Sequence, residues 1–308
     1  MPISQNSRAS LATIVEATFG TTPSTPTLIT LPFATHSLDD TRQTLGGTDI
    51  RGDEMERFLR LGDVTVAGDI TGDFRKGDYD TLLESVMRGE WATNVLKVGT
   101  TPKFMTIEET AADIDQFRQF KGMTANTMNI AVTSGSSTPV QVTFGMMGRE
   151  VTQSATTVAT TLTAASSNSP FDHHSGDFAL GNVGSSSTAC VTAISFDVAR
   201  NYETTFCVGD PFTKSMVSGN AAITGTFTAY YEDETLLARY TGETLTELEL
   251  SVDDETGANP YTFLFPSVKF TGAPVPVSGP TGARMVEIPF TALYDATEGS
   301  NLVITRTA

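Results

Sequence analysis

The stretch Asp63–Trp91, DVTVAGDITGDFRKGDYDTLLESVMRGEW, decides the fold class because two element types and the turn between them are legible in it. Val64, Val66, Ile70 and Phe74 are apolar on even positions, and Thr65, Asp69, Thr71 and Asp73 are polar on odd ones. That period of two is the mark of a half-buried strand. After Gly77 the period changes: Tyr79, Leu82, Leu83, Val86, Met87 and Trp91 form one stripe of an amphipathic helix. Asp78 is placed to cap its N-terminus and Asp80 to complement the dipole there. Arg88 in the last turn and Gly89 just beyond it give a stop signal. One strand therefore feeds one short helix, expected over Asp78 to Arg88.

Working outward, short apolar runs separated by turn residues recur along the chain. Strands are expected at Leu31–Leu38, Phe104–Glu109, Gln116–Phe120, Met128–Val132 and Val140–Met146. More follow at Val191–Val198, Ile223–Tyr231, Leu245–Val252, Tyr261–Phe270, Met285–Phe290 and Leu302–Arg306. The pattern predicts a mainly β protein, an antiparallel β-sandwich or partly closed barrel flanked by one short helix and carrying long loops. It is read as a single elaborated domain over 1–308 with three departures from regular patterning. Residues 1–30 form an N-terminal arm, and 39–56 is a polar inter-strand loop expected to be mobile in a lone subunit. Residues 153–189 are a Ser/Thr/Gly-rich surface insertion, too poor in large apolar groups to form its own core.

The 308 residues carry 36 acidic and 19 basic side chains, a net charge of -17, with the cations scattered. That excludes a chain gripping nucleic acid by its phosphates, which needs clustered Lys and Arg. It permits, without showing, a surface past which DNA slides without sticking. Cys190 and Cys207 are too few for a disulfide framework. No secretory signal and no apolar run of membrane-spanning length is present, so assembly in a cytoplasm is expected.

No catalytic signature stands out, and no enzyme activity or cofactor is expected. Asp172, His173, His174 and Asp177 in FDHHSGDF are metal-ligand types, but adjacent histidines on extended backbone point to opposite faces. They are expected in an exposed loop. Arg51, Gly52 and Asp53 spell a cell-attachment triplet of little information content. Asp253, Asp254 and Glu255 lack the spacing of a calcium loop and are expected in a solvated turn. Two acidic strand faces are of more interest: Asp63, Asp69 and Asp73 share one, Glu247 and Glu249 another. Both are the ordinary outer face of an antiparallel sheet or the lining of a channel.

The run GDITGDFRKGDYDTLLESVMRGEW (Gly68–Trp91) resembles the strand, tyrosine-aspartate helix start and glycine-tryptophan end of the major tail tube proteins of long, non-contractile-tailed bacteriophages. IVEATFGTTPSTP (Ile14–Pro26) resembles that family's opening segment, and IPFTALYDATEGSNLVITR (Ile288–Arg306) its closing strands. The resemblance implies a structural virion protein of the phage tail, assembled in the host cytoplasm. It further implies hexameric rings that stack into a tube, whose strands join across subunits around a channel for DNA. The expected partners are further copies of the chain, with tape-measure and tail-terminator proteins; DNA passes without specific binding, and no membrane is involved. The lumen candidates are then Asp63, Asp69 and Asp73, followed by Glu247 and Glu249. The loop over 39–56 would reach the next ring, with Leu45 and Ile50 as anchors and Asp49, Arg51, Asp53 and Glu54 as its charges. A tail-terminator or tube-initiation protein of the same fold is the near alternative. A carbohydrate-binding β-sandwich adhesin is the distant one, and it would need exposed aromatic platforms.

Overall fold

Threonine, valine and phenylalanine on alternating positions form strands over 54% of the chain, against 6% helix. A computed structural model describes residues 3–50, 52–53, 55–181, 190–277 and 279–307. Its first strands are β1 (Ala9–Glu16), β2 (Thr27–Leu31), β3 (Thr35–His36), β4 (Asp39–Gly46) and β5 (Leu59–Asp73), followed by helix α1 (Asp80–Met87). Next come β6 (Val95–Lys97), β7 (Phe104–Ala111), β8 (Gln116–Thr133), β9 (Gln141–Gly148), β10 (Glu150–Ser154), β11 (Thr161–Thr163) and β12 (Asp172–Leu180). The chain continues through β13 (Val191–Ala199), β14 (Tyr202–Cys207), β15 (Asp210–Ser218) and β16 (Ala222–Tyr230) to helix α2 (Thr235–Thr241). It ends with β17 (Thr246–Asp253), β18 (Tyr261–Phe270), β19 (Met285–Ala292) and β20 (Val303–Arg306).

The main sheet is antiparallel and runs β5, β9, β8, β13, β16, β19, β18, β17, β12, with β3 and β4 on the far side of β5. A second layer runs β11, β2, β1, β7, β8, β10. The long β8 belongs to both: Phe117–Lys121 pairs with β10 and Thr127–Thr133 with β13. The sheets do not close into a barrel, and the architecture is that of a β-sandwich.

The main sheet curls so that β18 lies across the core from β5 and β13. Phe263 and Phe265 of β18 meet Phe196 of β13 at ring-centroid distances of 5.2 and 5.1 Å. Phe74, at the end of β5, meets Tyr261 at 5.4 Å and Phe171 at 4.9 Å. Phe290, Phe227 and Phe270 continue the aromatic chain. Such pairs add about 0.5–1.5 kcal/mol each beyond the area they bury.

Helix α1 buries Leu82, Leu83, Ser85, Val86 and Met87, with Tyr79 just before it. The Ser85 hydroxyl sits on the inner face of β8, accepting from the Ala125 N–H at 3.0 Å and donating to the Lys103 carbonyl at 3.1 Å. The Tyr79 hydroxyl donates to the Pro32 carbonyl at 2.7 Å, and burial pushes its phenol well above the usual range. Burial likewise moves the Tyr261 phenol up to about 12, although its oxygen accepts from Gly77 N–H and donates to Asp80.

The helix ends differ from the expected ones. Asp78 does not cap; its Oδ1 accepts the Ser166 N–H at 2.8 Å, and Tyr79 occupies the cap position. At the other end Arg88 itself takes the left-handed conformation, with φ 52°. Gly89 is needed for a different reason, since a Cβ there would stand 2.4 Å from the Lys97 carbonyl oxygen. Trp91 lies beyond the helix, half-buried, with its ring beneath the Arg306 guanidinium at 4.2 Å and edge-on to Tyr261 at 6.2 Å. Arg306 also pairs with Asp80, tying the last strand to the first helical turn.

Four further expectations are corrected. The segment 39–56 is not a loop throughout: β4 pairs with Leu59–Ala67 of β5, so the two strands form a long hairpin arm whose described tip residues are 47–50, 52–53 and 55–58. The N-terminal arm, with its short helix or strand expected near Leu11–Ala17, enters the second layer as β1, and Leu11 is 1% exposed. The described part of 153–189 is also built in. β12 pairs with β17, and Phe171 and Leu180 are buried. His173 and His174 therefore sit on a strand, and its irregular register brings their rings to 3.9 Å rather than to opposite faces. Lastly, a second helix, α2, follows β16.

Candidate assembly surfaces

The outward face of β5 continues across neighbouring strands as a set of aligned rows. One row reads Thr35, Thr71, Thr143, Asn129, Asp197, Thr224, Thr291 across β3, β5, β9, β8, β13, β16 and β19, and ends at Lys269 on β18. The row beside it reads Asp73, Gln141, Ala131, Ser195, Thr226, Pro289. On the other side lie Asp69, Gly145, Thr127, Ala199 and Ala222. Thr71 and Thr143 hydroxyls are 2.9 Å apart, and Asn129 Nδ2 donates to Asp197 Oδ1 at 2.8 Å. The face is thus made of short side chains that bond one another along the row. Fixed short polar groups leave few long cations to catch an anion.

Asp69 is exposed on this face, and Asp63 and Asp73 are half-buried. Asp73 accepts from Gln141 Nε2 at 3.3 Å and lies 3.8 Å from Arg75. Glu247 and Glu249 are not brought to it. They alternate outward on β17, beside β18, and β18 stands across the core from β5. Glu249 is crowded there: desolvation first, then the charges of Glu247 and Asp177, hold its carboxyl above the usual range. The two acidic faces therefore look away from each other, and one surface cannot hold both.

The hairpin arm is the second notable surface. In the pairing of β4 with β5, Arg42 opposes Val64 while Thr44 opposes Leu61, so β5 holds one extra residue near Gly62 and Asp63. Residues two apart share a face, so the bulge puts Leu61 and Leu59 on the same side as Val64 and Val66. Val64 and Val66 are core residues, whereas Leu59 and Leu61 are 66% and 62% exposed. The apolar stripe of β5 thus runs out of the body onto the arm. Phe58, Met55 and Ile50 extend the exposed apolar surface at the tip, and Leu45 lies exposed on the opposite face. Of the expected arm charges, Asp49 is exposed and Asp53 pairs with Arg57 of its own tip at 2.6 Å. Arg51 and Glu54 lie outside the described residues.

Sequence spacing signalled Leu45 and Ile50 but not Leu59 and Leu61. Their strand reads as apolar whether its face is covered or not. The absence of a helix long and apolar enough to cross a membrane, and of any cluster of three metal-ligand side chains, holds among the described residues.

The sequence profile of the family described as Phage tail tube protein matches residues 6–292. The chain belongs to this phage tail tube protein family. No match was found among curated proteins. A tail tube protein is structural, not enzymatic, and is a component of the virion tail that self-assembles into a tube. The exposed apolar arm and the unclosed sheets are consistent with that role. Among the described residues β4 pairs only with β5 and β12 only with β17, so both leave an edge for another chain.

Proposed function

We propose that the chain polymerises as hexameric rings stacked into the tail tube, with the outward face of β5, β9, β8, β13 and β16 lining the channel for DNA passage. The observation that carries this is the row of aligned threonines with Asn129 and Asp197, flanked by Asp69 and Asp73. A surface past which DNA moves must offer no clustered cations, since each phosphate contact adds affinity. Six copies carry 6 × -17 = -102 formal charges, so the collective field inside a ring repels the duplex. Joining open strand edges between neighbours around the ring removes them as sites of uncontrolled pairing.

The arm bridges rings. Leu59, Leu61, Phe58, Met55 and Ile50 would seat on the adjacent ring, with Leu45 on the arm's other face and Asp49 at its tip. The test is electron microscopy of the purified chain together with DNA ejection from phage carrying Asp69→Lys and Asp73→Lys. Hollow tubes from both proteins, with slowed ejection from the variant, are expected. Ejection at the normal rate, or both aspartates on the outside of the tube, would overturn the lumen assignment.

A further inference from the structure

The end of the sandwich from which the arm departs holds two arginines without an acid. Arg200 follows β13 and is 3% exposed; its Nη2 donates to the Gly99 carbonyl at 3.0 Å and its Nε finds no acceptor. Arg88, at the end of α1, lies beside it. Arg88 donates to the Ser218 hydroxyl of β15 and to the Thr100 carbonyl at 2.5 Å, and its Nε too is unpartnered. The Arg88 guanidinium stands 5.8 Å from the centre of the Tyr202 ring, whose buried hydroxyl has no partner. Every acceptor that reaches these two cations is neutral. Among the described residues neither forms an ion pair, in a chain with 36 carboxylates. Burial, and then the like charge of Arg88, weaken the hold of Arg200 on its proton.

A buried arginine beside a half-buried one, with no counterion for either, is costly, and the cost falls when an anion arrives. The opening to the cluster is Arg88, which is half-buried. At the N-terminal side of α1 an exposed carboxylate is found instead. There the turn after β17 is held to the segment before the helix by the Lys76–Asn259 bond at 3.1 Å; Asp254 is buried and accepts from Thr256 and Asn259, and Glu255 stands in solvent. An eight-residue helix separates the two sites, about 12 Å at 1.5 Å per residue. The subunit thus has a cationic site and an exposed carboxylate toward opposite ends of α1.

We infer that Arg88, Arg200 and Tyr202 form a receptor for a carboxylate of a second copy of this chain, closed when subunits meet head to tail. This rests on the tube assembly proposed above. Head-to-tail contact between unlike surfaces gives open-ended growth, which a self-complementary contact does not. A bidentate guanidinium–carboxylate pair also fixes rotation between the copies.

The test compares tube growth by Arg88→Gln, Arg200→Met and wild-type protein, alongside melting of the unassembled subunits. Arg88→Gln should melt as wild type but require at least tenfold more protein to grow tubes, with a flatter salt dependence. Arg200→Met should melt no lower than wild type, having lost an uncompensated buried charge, and yet assemble poorly. That pairing of unchanged stability with lost assembly is not what a merely structural arginine would give. A density map of wild-type tubes should show a neighbour's carboxylate within hydrogen-bond distance of the cluster. Normal growth by Arg88→Gln, or a map with no carboxylate at the cluster, would overturn the inference while leaving the tube itself standing. So would phosphate or acetate raising the melting temperature of wild type but not of Arg88→Gln with the neighbour absent from the cluster, since the anion would then be a free one. Wild-type protein that forms no tubes at all would remove the underlying assembly, a different failure with a different readout.

Discussion

Truncating Leu83 to Ala probes whether α1 is part of the load on which the sandwich rests. Leu83 is 1% exposed in the middle of an eight-residue helix and is flanked by buried Leu82 and Val86. Its backbone N–H makes the first helical bond, to Tyr79 O at 2.8 Å, which the substitution leaves intact, so the effect is that of the side chain. Removing three carbons forfeits about 2.5 kcal/mol of transfer free energy at ~0.8 kcal/mol per methylene. The unfilled space raises the total to about 3–5 kcal/mol. Unfolding entropy near 2.1 cal/mol/K per residue amounts to about 0.65 kcal/mol/K for 308 residues. The melting temperature should therefore fall by roughly 4–8 °C if the chain unfolds as one unit. Differential scanning calorimetry of the unassembled subunit measures it, with Ile50→Ala, on the exposed arm tip, as the control that should not move. A shift under about 1 °C for Leu83→Ala would refute the packing described for α1.

Leu59→Ser with Leu61→Ser should leave the subunit's melting within about 0.5 kcal/mol of wild type, because both side chains are in solvent already. The same pair should stop elongation, as read by sedimentation. Glu249→Gln should stabilise the subunit at pH 7, by a gain that shrinks as the pH falls through the raised folded-state value and is gone below the ordinary value of 4.5. The sign follows from the raised folded-state pKa: the folded state holds that proton more tightly, so the wild type loses stability as pH rises through the folded value. A gain that is absent at pH 7, or equal at pH 4 and pH 7, would contradict the crowding by Glu247 and Asp177. Replacing residues 153–189 with a Gly-Ser linker should abolish folding rather than be tolerated, since it removes Phe171 and the whole of β12; circular dichroism decides it.

Sequence periodicity revealed α1 and most of the strands because each has one covered face and one wet one. It missed β4, DDTRQTLG, because neither of its faces is buried, and a strand exposed on both sides has no alternation to show. β8 reads as two strands because it passes from one layer to the other, and the break falls where Gly122 takes φ 65°. The composition of 153–189 conceals β12, whose anchors are a few large groups, Phe171, Phe178 and Leu180, in a background of serine and glycine. Asp78 and Gly89 have the residue types of helix caps, but the fold uses Asp78 to hold the Ser166 backbone and Gly89 to admit the Lys97 carbonyl. Acidic patterning picked out both outward faces. Only the curl of the main sheet, set by contacts between residues far apart in sequence such as Phe74 with Phe263 and Phe196 with Phe265, separates them. For the same reason the pairing of Arg88 with Arg200 has no signature in the chain.

The central claim is that the threonine-rich face of β5, β9, β8, β13 and β16 lines the tail tube. Electron cryomicroscopy of tubes grown from the purified chain, at a resolution that places side chains, tests it most directly. Thr71, Thr143, Asn129 and Asp197 should point into the channel with Asp69 and Asp73 beside them, and Glu247 and Glu249 should face away. A channel lined by β17 and β18, with the threonine row on the outer surface, would contradict it.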